Sequence, residues 1–391
     1  MKLVMTLLVR DEIDIVAAMI EHHLAQGVDL IIATDNGSVD GTRELLAAYA
    51  ARGRLEVHDY PVHDKKQYAL VSAMASRAFT EHGADWVINA DADEFFVPVD
   101  RSLTLKQAFE QIPVAIGSFV APVVNITGHP ARDGSGLTRL RWRDTRPEET
   151  LMTTAGLHAH PTGNAVHVGR AGVQVTQGNH EVDIPSAGEP DPAFAIEVLH
   201  YPWRSWVQFS SKVEKTGLAY SGNPKLNPSP RHHGMRDYRF LQIGALEHFY
   251  VIRHPSPAIL ASGEAADLGL VEDTWLASEL ARLVTEGTAF EVDSLGALLA
   301  GDGDPSDYSE PDWQRAGEVM QYLLPLETER GDSLTTMRDE RNRARNRARR
   351  AKEQLARARA ELKAIKASRS YRFSRALGRP ARSVRRLLRR G

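Results

Sequence analysis

The chain has 391 residues, a formal net charge of −3, and 42% hydrophobic and 25% charged residues, which are ordinary values for a globular protein. It contains no cysteine, so disulfide bonds and thiolate metal sites are excluded. No apolar run approaches the roughly 20 residues of a membrane span. The opening "MKLVMTLLVR" lacks a signal-peptide cleavage site, so we expect a cytoplasmic protein.

The first hundred residues alternate between predicted strands and predicted helices. The strands are "KLVMTLLV", "VDLIIAT", "LEVHDYP" and "DWVINA". The helices between them are "DEIDIVAAMIEHHLAQG", "DGTRELLAAYAARG" and "QYALVSAMASRAFTEHG". This alternation predicts an α/β fold with a mainly parallel sheet and helices on both faces. In such sheets, ligands bind outside the carboxyl ends of the strands.

Acidic residues follow the fourth strand directly, in "ADWVINADADEFFVPVD". Residues i and i+2 of an extended chain point the same way, so Asp91 and Asp93 can face one ligand together. Carboxylate oxygens suit Mg²⁺ or Mn²⁺, which complete their shells with water and substrate phosphates. A metal or nucleotide site is therefore predicted here, with a solvated turn as the alternative.

A second acidic cluster, "TDNGSVDGT", follows the second strand. Gly37 and Gly41 allow a tight loop, and Asp40 or Thr42 can cap the next helix. Taken alone, the cluster is typical of a strand-to-helix turn. Because Asp35 ends a strand at the same sheet edge as Asp93, a ligand role is also predicted for it.

The remainder of the main domain is less regular. Strands are predicted at "GSFVAPVVNI", "LTRLRW", "NAVHVG" and "GVQVTQGNHEV", and residues 200–325 are predicted to be mainly helical. We therefore expect one domain over residues 1–325, with a nucleotide-binding half (1–100) and an acceptor half (101–325).

The end of the chain differs sharply in charge. Residues 331–391 hold 21 Lys and Arg and 5 acids, whereas the preceding residues hold 27 and 46. From Leu334, steps of alternating three and four residues meet Leu, Met, Arg, Ala, Ala, Ala, Leu, Ala, Leu and Ile. This pattern predicts a coiled coil over 331–367, pairing in a homo-oligomer or with a partner helix. A single solvated helix is the alternative.

The final segment, residues 368–391, contains nine arginines and no acid. Val384, Leu387 and Leu388 share one helical face, which is typical of an amphipathic helix lying on an anionic membrane surface. Nucleic acid would attract the same arginines. It is not expected as a partner, because the rest of the chain is strongly acidic. The location expected is therefore cytoplasmic, with a peripheral position on the inner face of the plasma membrane as the alternative that the tail suggests.

The order of these motifs resembles glycosyltransferase family 2, which has the GT-A fold. The resemblance lies in "VRDEIDIVAAMIEHHLAQGVDLIIATDNGSVDGT", the third strand and "DWVINADADEFF", and it extends to "LHYPWRSWVQFSSKV" at residues 199–213. It implies a GT-A-like nucleotide-sugar-binding domain. It also implies that Asp35 contacts the nucleotide base and Glu12 lines the base and ribose pocket. Asp91 would lie beside the ribose, and Asp93 would ligate the metal.

The resemblance further implies a set of positively charged or metal-binding side chains. His200 matches a downstream histidine of the family, a metal or phosphate contact. Arg204, Lys212 and Lys65 follow at positions where a cation could contact the donor diphosphate.

Inverting glycosyl transfer requires a carboxylate that takes the proton of the acceptor hydroxyl. The chain departs from the family here, because no clean pair of acids stands at the usual downstream position. Glu181 and Asp183 in "GNHEVDIP" are the predicted catalytic candidates, with Glu148 and Glu149 behind them.

Together with these features, the resemblance implies an inverting, metal-dependent glycosyltransferase that moves a sugar from a nucleotide-sugar donor to a cell-surface polysaccharide or glycolipid. One alternative is a non-catalytic scaffold of a surface-glycan assembly, in which the coiled coil and basic tail carry the function. The other is a nucleotidyltransferase, which would also use paired acids and a metal. It ranks lower because "VRDEIDI" lacks the glycines of a phosphate-binding loop.

Overall fold

A computed structural model describes residues 1–62, 67–222 and 228–377. The chain forms two compact units. The first holds Met1–Pro228 and His233–Pro325, and the second holds Ser229–His232 and the chain from Leu326 on. The domain limits predicted from the sequence stay a prediction.

The strands in chain order are β1 (Leu3–Val9), β2 (Leu30–Asp35), β3 (Leu55–Asp59), β4 (Trp86–Ala90), β5 (Glu94–Pro98), β6 (Ser118–Ala121), β7 (Val123–Gly128), β8 (Leu140–Asp144), β9 (Asn164–Val168), β10 (Ile196–His200) and β11 (Leu270–Glu272). The helices of the first hundred residues and of the segment after them are α1 (Val16–Ala25), α2 (Thr42–Ala51), α3 (Gln67–Thr80), α4 (Leu105–Gln111) and α5 (Glu148–Ala155). The later helices are α6 (Trp206–Ser221), α7 (His233–Gln242), α8 (Leu246–Arg253), α9 (Pro257–Ser262), α10 (Trp275–Glu286), α11 (Val292–Ala300), α12 (Glu310–Ala367) and α13 (Arg369–Leu377). Short 3₁₀ turns occupy Val114–Ile116, Pro192–Phe194 and Ala266–Leu268.

The first sheet has the strand order β3-β2-β1-β4-β9-β6 among the residues described. Strands β3, β2, β1 and β4 pair in parallel, as their strand–helix alternation predicts. Val9 pairs with Asp35, and Leu7 pairs with Ala90. The two acidic clusters therefore leave the sheet at the same edge, at the carboxyl ends of β2 and β4.

The second sheet has the order β11-β8-β7-β10-β5. Only β7 and β10 pair in parallel there, and the other neighbouring strands are antiparallel. In the first sheet, β9 also runs antiparallel to β4 and β6. The fold is thus mixed α/β, as predicted, but a mainly parallel sheet is not confirmed for the chain as a whole.

Apolar side chains cover both faces of the first sheet. On one face Met5 and Ile88 join the core formed with α1 and α4. On the other face Val4, Ile32 and Val87 pack with the apolar side of α3. Strands buried on both faces have near-continuous apolar sequences, which explains "KLVMTLLV". A third core, around Phe209, Phe249 and Tyr250 of α6 and α8, stabilises the helical region.

Helix α12 continues beyond Pro325 into the second unit, and α13 follows it. The segment predicted as a coiled coil is helical, whereas its pairing with another helix stays a prediction. Residues 378–391, which include the predicted apolar face of the tail, lie outside the described residues. Across the described ranges, no helix is both long and apolar enough to cross a membrane.

Candidate active site

A cavity of about 350 Å³ lies at the carboxyl ends of β1 and β4. Its acidic lining comes from the chain just after these strands, namely Asp11, Glu12, Asp91 and Asp93. Its opposite wall is one face of α6, contributed by Gln208, Ser211, Lys212, Lys215, Thr216 and Ala219. The spacing of three and four residues along α6 places these side chains on a single stripe. The cavity thus sets carboxylates against ammonium groups.

Asp93 is the most heavily neutralised acid of the site. Its carboxylate is 2% exposed. Oδ2 accepts from Nζ of Lys212 at 3.0 Å and from Nη1 of Arg204 at 3.4 Å. Oδ1 lies 3.8 Å from Nε2 of His200. Burial alone would raise the pKa of Asp93, but the positive charges of Lys212 and Arg204 hold it well below its usual range.

Arg204 holds the loop that follows β1. Its side chain is fully buried, directly before α6. Nε and Nη2 donate to the two carboxylate oxygens of Asp14, at 2.7 and 3.1 Å, and Nη2 also donates to Glu12. Planar, two-point bonding of this kind fixes orientation as well as charge. The structure therefore places Arg204 among three acids, with its guanidinium donors already engaged.

Two lysines of α6 reach the cavity. Lys212 lies 3.0 Å from Asp93 and 3.9 Å from Oε1 of Glu12. Lys215 donates to Oδ2 of Asp11 at 2.5 Å. Both side chains are roughly half exposed, at 48 and 40%. Because both ammonium groups are partly open to solvent, they can contact an anion that enters the cavity.

Asp91 and Glu94 play different parts in the turn between β4 and β5. Asp91 lines the cavity, and its Oδ1 accepts from Nδ2 of Asn179 at 3.3 Å. Burial, with the nearby charge of Asp93, raises the pKa of Asp91 to about 6. Glu94 is buried and accepts from the Asp91 backbone N–H at 3.0 Å and from Asn164 at 2.7 Å. Glu94 therefore fixes the turn, and burial raises its pKa well above the usual range.

His200 has a defined orientation. Its Nδ1 lies 2.9 Å from Oδ1 of Asn125, and this amide orientation selects the tautomer in which Nδ1–H donates and Nε2 carries the lone pair. Burial lowers the pKa of His200 to about 4, which keeps the ring neutral. The lone pair of Nε2 therefore faces the carboxylate of Asp93.

Asp35 closes the turn after β2. Its side chain is buried and accepts from the backbone N–H groups of Gly37 and Ser38, each at 3.2 Å. Gly37 has a φ of 77°, a conformation that favours glycine. The strand-to-helix turn predicted for this cluster is present. Asn36, rather than Asp35, lines the cavity, and the predicted contact of Asp35 with a nucleotide base stays a prediction.

The two predicted catalytic acids lie on the hairpin formed around the Val175–Val182 bridge. Both side chains are exposed, and neither Glu181 nor Asp183 lines the cavity. Asp183 forms an ion pair with Arg170. The structure thus does not bring these acids together with Asp93. The other predicted residue, Lys65, lies outside the described residues.

Several site residues, Lys215 and Asn125 among them, were not predicted from the sequence pattern. Asp11 has a φ of 53°, accepts from the Val39 N–H at 2.8 Å and pairs with Lys215. Asp14 binds Arg204, and Asn179, with a φ of 61°, donates to Asp91. The strand-end argument that singled out Asp91 applies equally to "RDEID" and could have found Asp11 and Asp14. No comparable signal pointed to Asn179.

Comparison with protein families gives one match. Residues 4–115 match the model of glycosyltransferase family 92. The match confirms the prediction of a glycosyltransferase for this part of the chain. It does not test the narrower resemblance to family 2, which stays a prediction. None of the curated proteins matches the chain.

Solved structures show a distant likeness. S. aureus TarS 1-349 in complex with UDP is 12% identical at a TM-score of 0.32, with 82% of this chain and 92% of that chain covered. S. aureus TarS is 11% identical at a TM-score of 0.31, and the match covers 63% of this chain and 43% of that chain. A third structure is glucosyl-3-phosphoglycerate synthase from Mycobacterium tuberculosis in complex with Mn²⁺, UDP and glucosyl-3-phosphoglycerate. It is 16% identical at a TM-score of 0.22, and the match covers 43% of this chain and 56% of that chain. The chain thus spans less than two thirds of the last two.

Proposed function

We propose that the chain is an inverting, metal-dependent glycosyltransferase that moves a sugar from a nucleotide-sugar donor to a hydroxyl group of a glycan or glycolipid. The observation that carries this proposal is the cavity at the carboxyl edge of the first sheet. It sets Asp91 and Asp93, which lie within the segment that matches a glycosyltransferase family, against Lys212 and Lys215 of α6. Ligands of parallel sheets bind at this edge.

The residues present fit a divalent cation. Nε2 of His200 and Oδ1 of Asp93 are both acceptors, and they face each other at 3.8 Å, too far apart for a hydrogen bond. A cation between two such atoms would satisfy both. Asn125 holds the imidazole in the tautomer that a metal requires. No group of three potential ligand side chains occurs in the described part of the chain. Two protein ligands agree with Mg²⁺ or Mn²⁺, which usually keep water and phosphate in their shells.

Asp93 and His200 would hold this cation, with Asp91 beside them. The bound ion would neutralise charge on the departing nucleoside diphosphate. Lys212 and Lys215 would act on the same charge, because their ammonium groups stand on the opposite wall of the cavity and are half exposed. Arg204 would act indirectly, because its ion pairs hold Glu12 and the carboxylate of Asp93 in position.

The hairpin around Val175 and Val182 would supply the acid that takes the acceptor proton. Gln177 lines the cavity and Asn179 touches Asp91, so this hairpin reaches the site. Glu181 lies two residues beyond Asn179, exposed and outside the cavity lining, and of the two predicted bases it is the one whose carboxylate is not engaged by Arg170.

The scaffold alternative is disfavoured by the buried charges. Burying ionised side chains is costly, and replacing them with apolar residues is often neutral or stabilising. The cluster of Arg204, Asp93, Glu12 and Asp14 therefore lowers the stability that apolar residues could provide, which is not expected in a protein whose cavity has no function. The nucleotidyltransferase alternative retains no supporting feature beyond the shared acids.

The test is turnover. Purified protein is incubated with UDP-, GDP- and dTDP-sugars and Mn²⁺, and release of the nucleoside diphosphate is measured with and without glycan and lipid-linked acceptors. Release from one donor class, lost in Asp93→Asn, supports the proposal. A folded wild-type protein that releases diphosphate from none of them supports the scaffold. Release of pyrophosphate from a nucleoside triphosphate and a sugar phosphate would indicate a nucleotidyltransferase.

The membrane location belongs to the same proposal. A lipid-carried acceptor would lie at an anionic surface, and the net positive charge of residues 331–391 would hold the protein there. Sedimentation with vesicles that contain anionic lipid, compared with neutral vesicles, tests this location. Equal binding to both would contradict it.

A further inference from the structure

The part of α12 in the second unit presents an apolar stripe to solvent. The stripe occupies the a and d positions of the heptad pattern, namely Leu334, Met337, Arg341, Ala344, Ala348, Ala351, Leu355, Ala358, Leu362 and Ile365. All ten side chains are exposed, and the five large apolar ones are exposed by 37 to 62%. A regular stripe of this kind is what a coiled-coil seam looks like before it is paired.

We propose that this seam pairs with the same seam of a second copy of the chain, in a parallel and in-register dimer. The proposal is independent of the proposed enzymatic function. It rests on the charges that flank the stripe. In a coiled coil, the residues at the e and g positions of the two helices face each other across the seam and set partner and orientation.

The e positions are uniformly basic, with Arg345, Lys352, Arg359 and Lys366 from the second heptad on. An antiparallel pair would set e positions against e positions and bring these cations together. Like charges at such distances repel, which disfavours that arrangement. A stable pair therefore requires neutral or acidic residues opposite the basic e positions.

A parallel dimer supplies such residues from the g positions. In that arrangement, g of one helix faces e of the next heptad in the partner. Glu340 then faces Arg345, and Glu361 faces Lys366, so the two ends of the seam each gain attractive pairs. The unfavourable pair, Arg347 with Lys352, lies in the middle. The charge pattern thus fits a parallel dimer in register.

The residues inside the seam favour two helices rather than three. Alanines at the d positions 344, 351 and 358 permit close approach of two helices. Arg341 occupies an a position, where a long side chain reaches water more readily from a dimer than from a larger bundle. Polar residues at single a positions specify oligomeric state in this way, at a cost in stability. The excess positive charge of the helix predicts that salt strengthens the dimer.

The chain has no native cysteine, which permits a clean test of orientation. Single variants of the full chain, Met337→Cys and Leu362→Cys, place thiols near opposite ends of the seam. Asn346→Cys, at an f position on the outer face, is the matched control. A mixture of Leu334→Cys and Ile365→Cys chains reports the antiparallel arrangement, because these positions are about 46 Å apart along one helix.

The proposal predicts twice the mass of one chain by light scattering, with a larger dimer fraction at higher salt. Met337→Cys and Leu362→Cys form intermolecular disulfides under mild oxidation, and Asn346→Cys does not. Mass spectrometry finds no disulfide between position 334 of one chain and 365 of another. A monomer at every concentration, a trimer, or a 334–365 disulfide would each overturn the proposal. Circular dichroism checks that every variant retains its helix content.

Discussion

Nζ of Lys212 lies 3.0 Å from Oδ2 of Asp93, which joins the long wall of α6 to the acid turn after β4. Arg204, whose side chain is fully buried, donates to the same carboxylate oxygen from Nη1 at 3.4 Å. The two cations differ in surroundings, because Lys212 is half exposed in the cavity. We therefore expect Arg204 to stabilise the fold and Lys212 to contact the ligand.

Replacing Arg204 by lysine separates these roles. Lysine cannot reproduce the two-point bonding to Asp14, so the partly buried Asp14 and Glu12 lose hydrogen bonds from the buried guanidinium. The expected loss in the free energy of unfolding is about 3 kcal/mol, measured by urea denaturation. The matched control is Lys212→Met, which should cost less because Arg204 still neutralises Asp93, and which should weaken binding of a nucleoside diphosphate. Equal losses of stability in the two variants would refute this division.

Asn179 offers a test of how Asp91 is positioned. Its φ of 61° is a conformation that glycine adopts freely and alanine does not. Asn179→Gly and Asn179→Ala both remove the bond to Asp91, but only alanine adds backbone strain, about 1 kcal/mol. We expect alanine to be the less stable variant in thermal unfolding and both variants to show the same change in KM for the donor. If only Asn179→Ala altered KM, the bond to Asp91 would have no role in the site.

The predicted base can be tested against its neighbour. Glu181→Gln should lower kcat by roughly 10²- to 10⁴-fold, the usual contribution of a general base, while the affinity for the nucleoside diphosphate is unchanged. Asp183→Asn is the matched control, because Asp183 is exposed and pairs with Arg170. It should leave kcat within about twofold, since it removes an exposed ion pair. A normal kcat in Glu181→Gln would exclude Glu181 as the base.

Stability should fall in acid through Glu197. This side chain accepts from Arg143 at 2.6 and 2.8 Å and from Arg101 at 2.7 Å. Burial opposes its ionisation, but Arg143 and Arg101 lower its pKa below 4.5. Its contribution is thus present above pH 4.5 and is lost as the pH falls through the lowered pKa. The difference in Tm between wild type and Glu197→Gln should shrink between pH 6 and pH 3. A constant difference would contradict this assignment.

The sequence predicted the parts of this fold that depend on local pattern. The apolar runs of β1, β2 and β4 and their helices form as expected, and the register sets Asp35 and Asp91 at one edge. The role of Arg204 could not be predicted in the same way. Its partner Asp14 is 190 residues away, and no local pattern encodes that contact.

The residues on the acceptor side of the site are also hard to predict from the sequence, because their positions depend on the register of a hairpin. The sequence pattern favours Glu181 and Asp183 because they are acids at the end of a predicted strand, but an exposed hairpin places both outside the cavity lining. Which side chains of a hairpin point inward depends on register, and a slip of one residue reverses them. Asn179 reaches Asp91 because its backbone adopts a positive φ, which the sequence "GNHE" does not specify.

The most direct test of the account is calorimetric binding of UDP, GDP and dTDP, each with Mn²⁺ and with EDTA, to wild type and Asp93→Asn. The account predicts that one nucleotide binds in the presence of Mn²⁺, that EDTA abolishes binding, and that Asp93→Asn does not bind although its circular dichroism matches wild type. Equal binding with EDTA would contradict the metal site at Asp93 and His200. No binding of any nucleotide by the folded wild-type protein would contradict the enzyme itself.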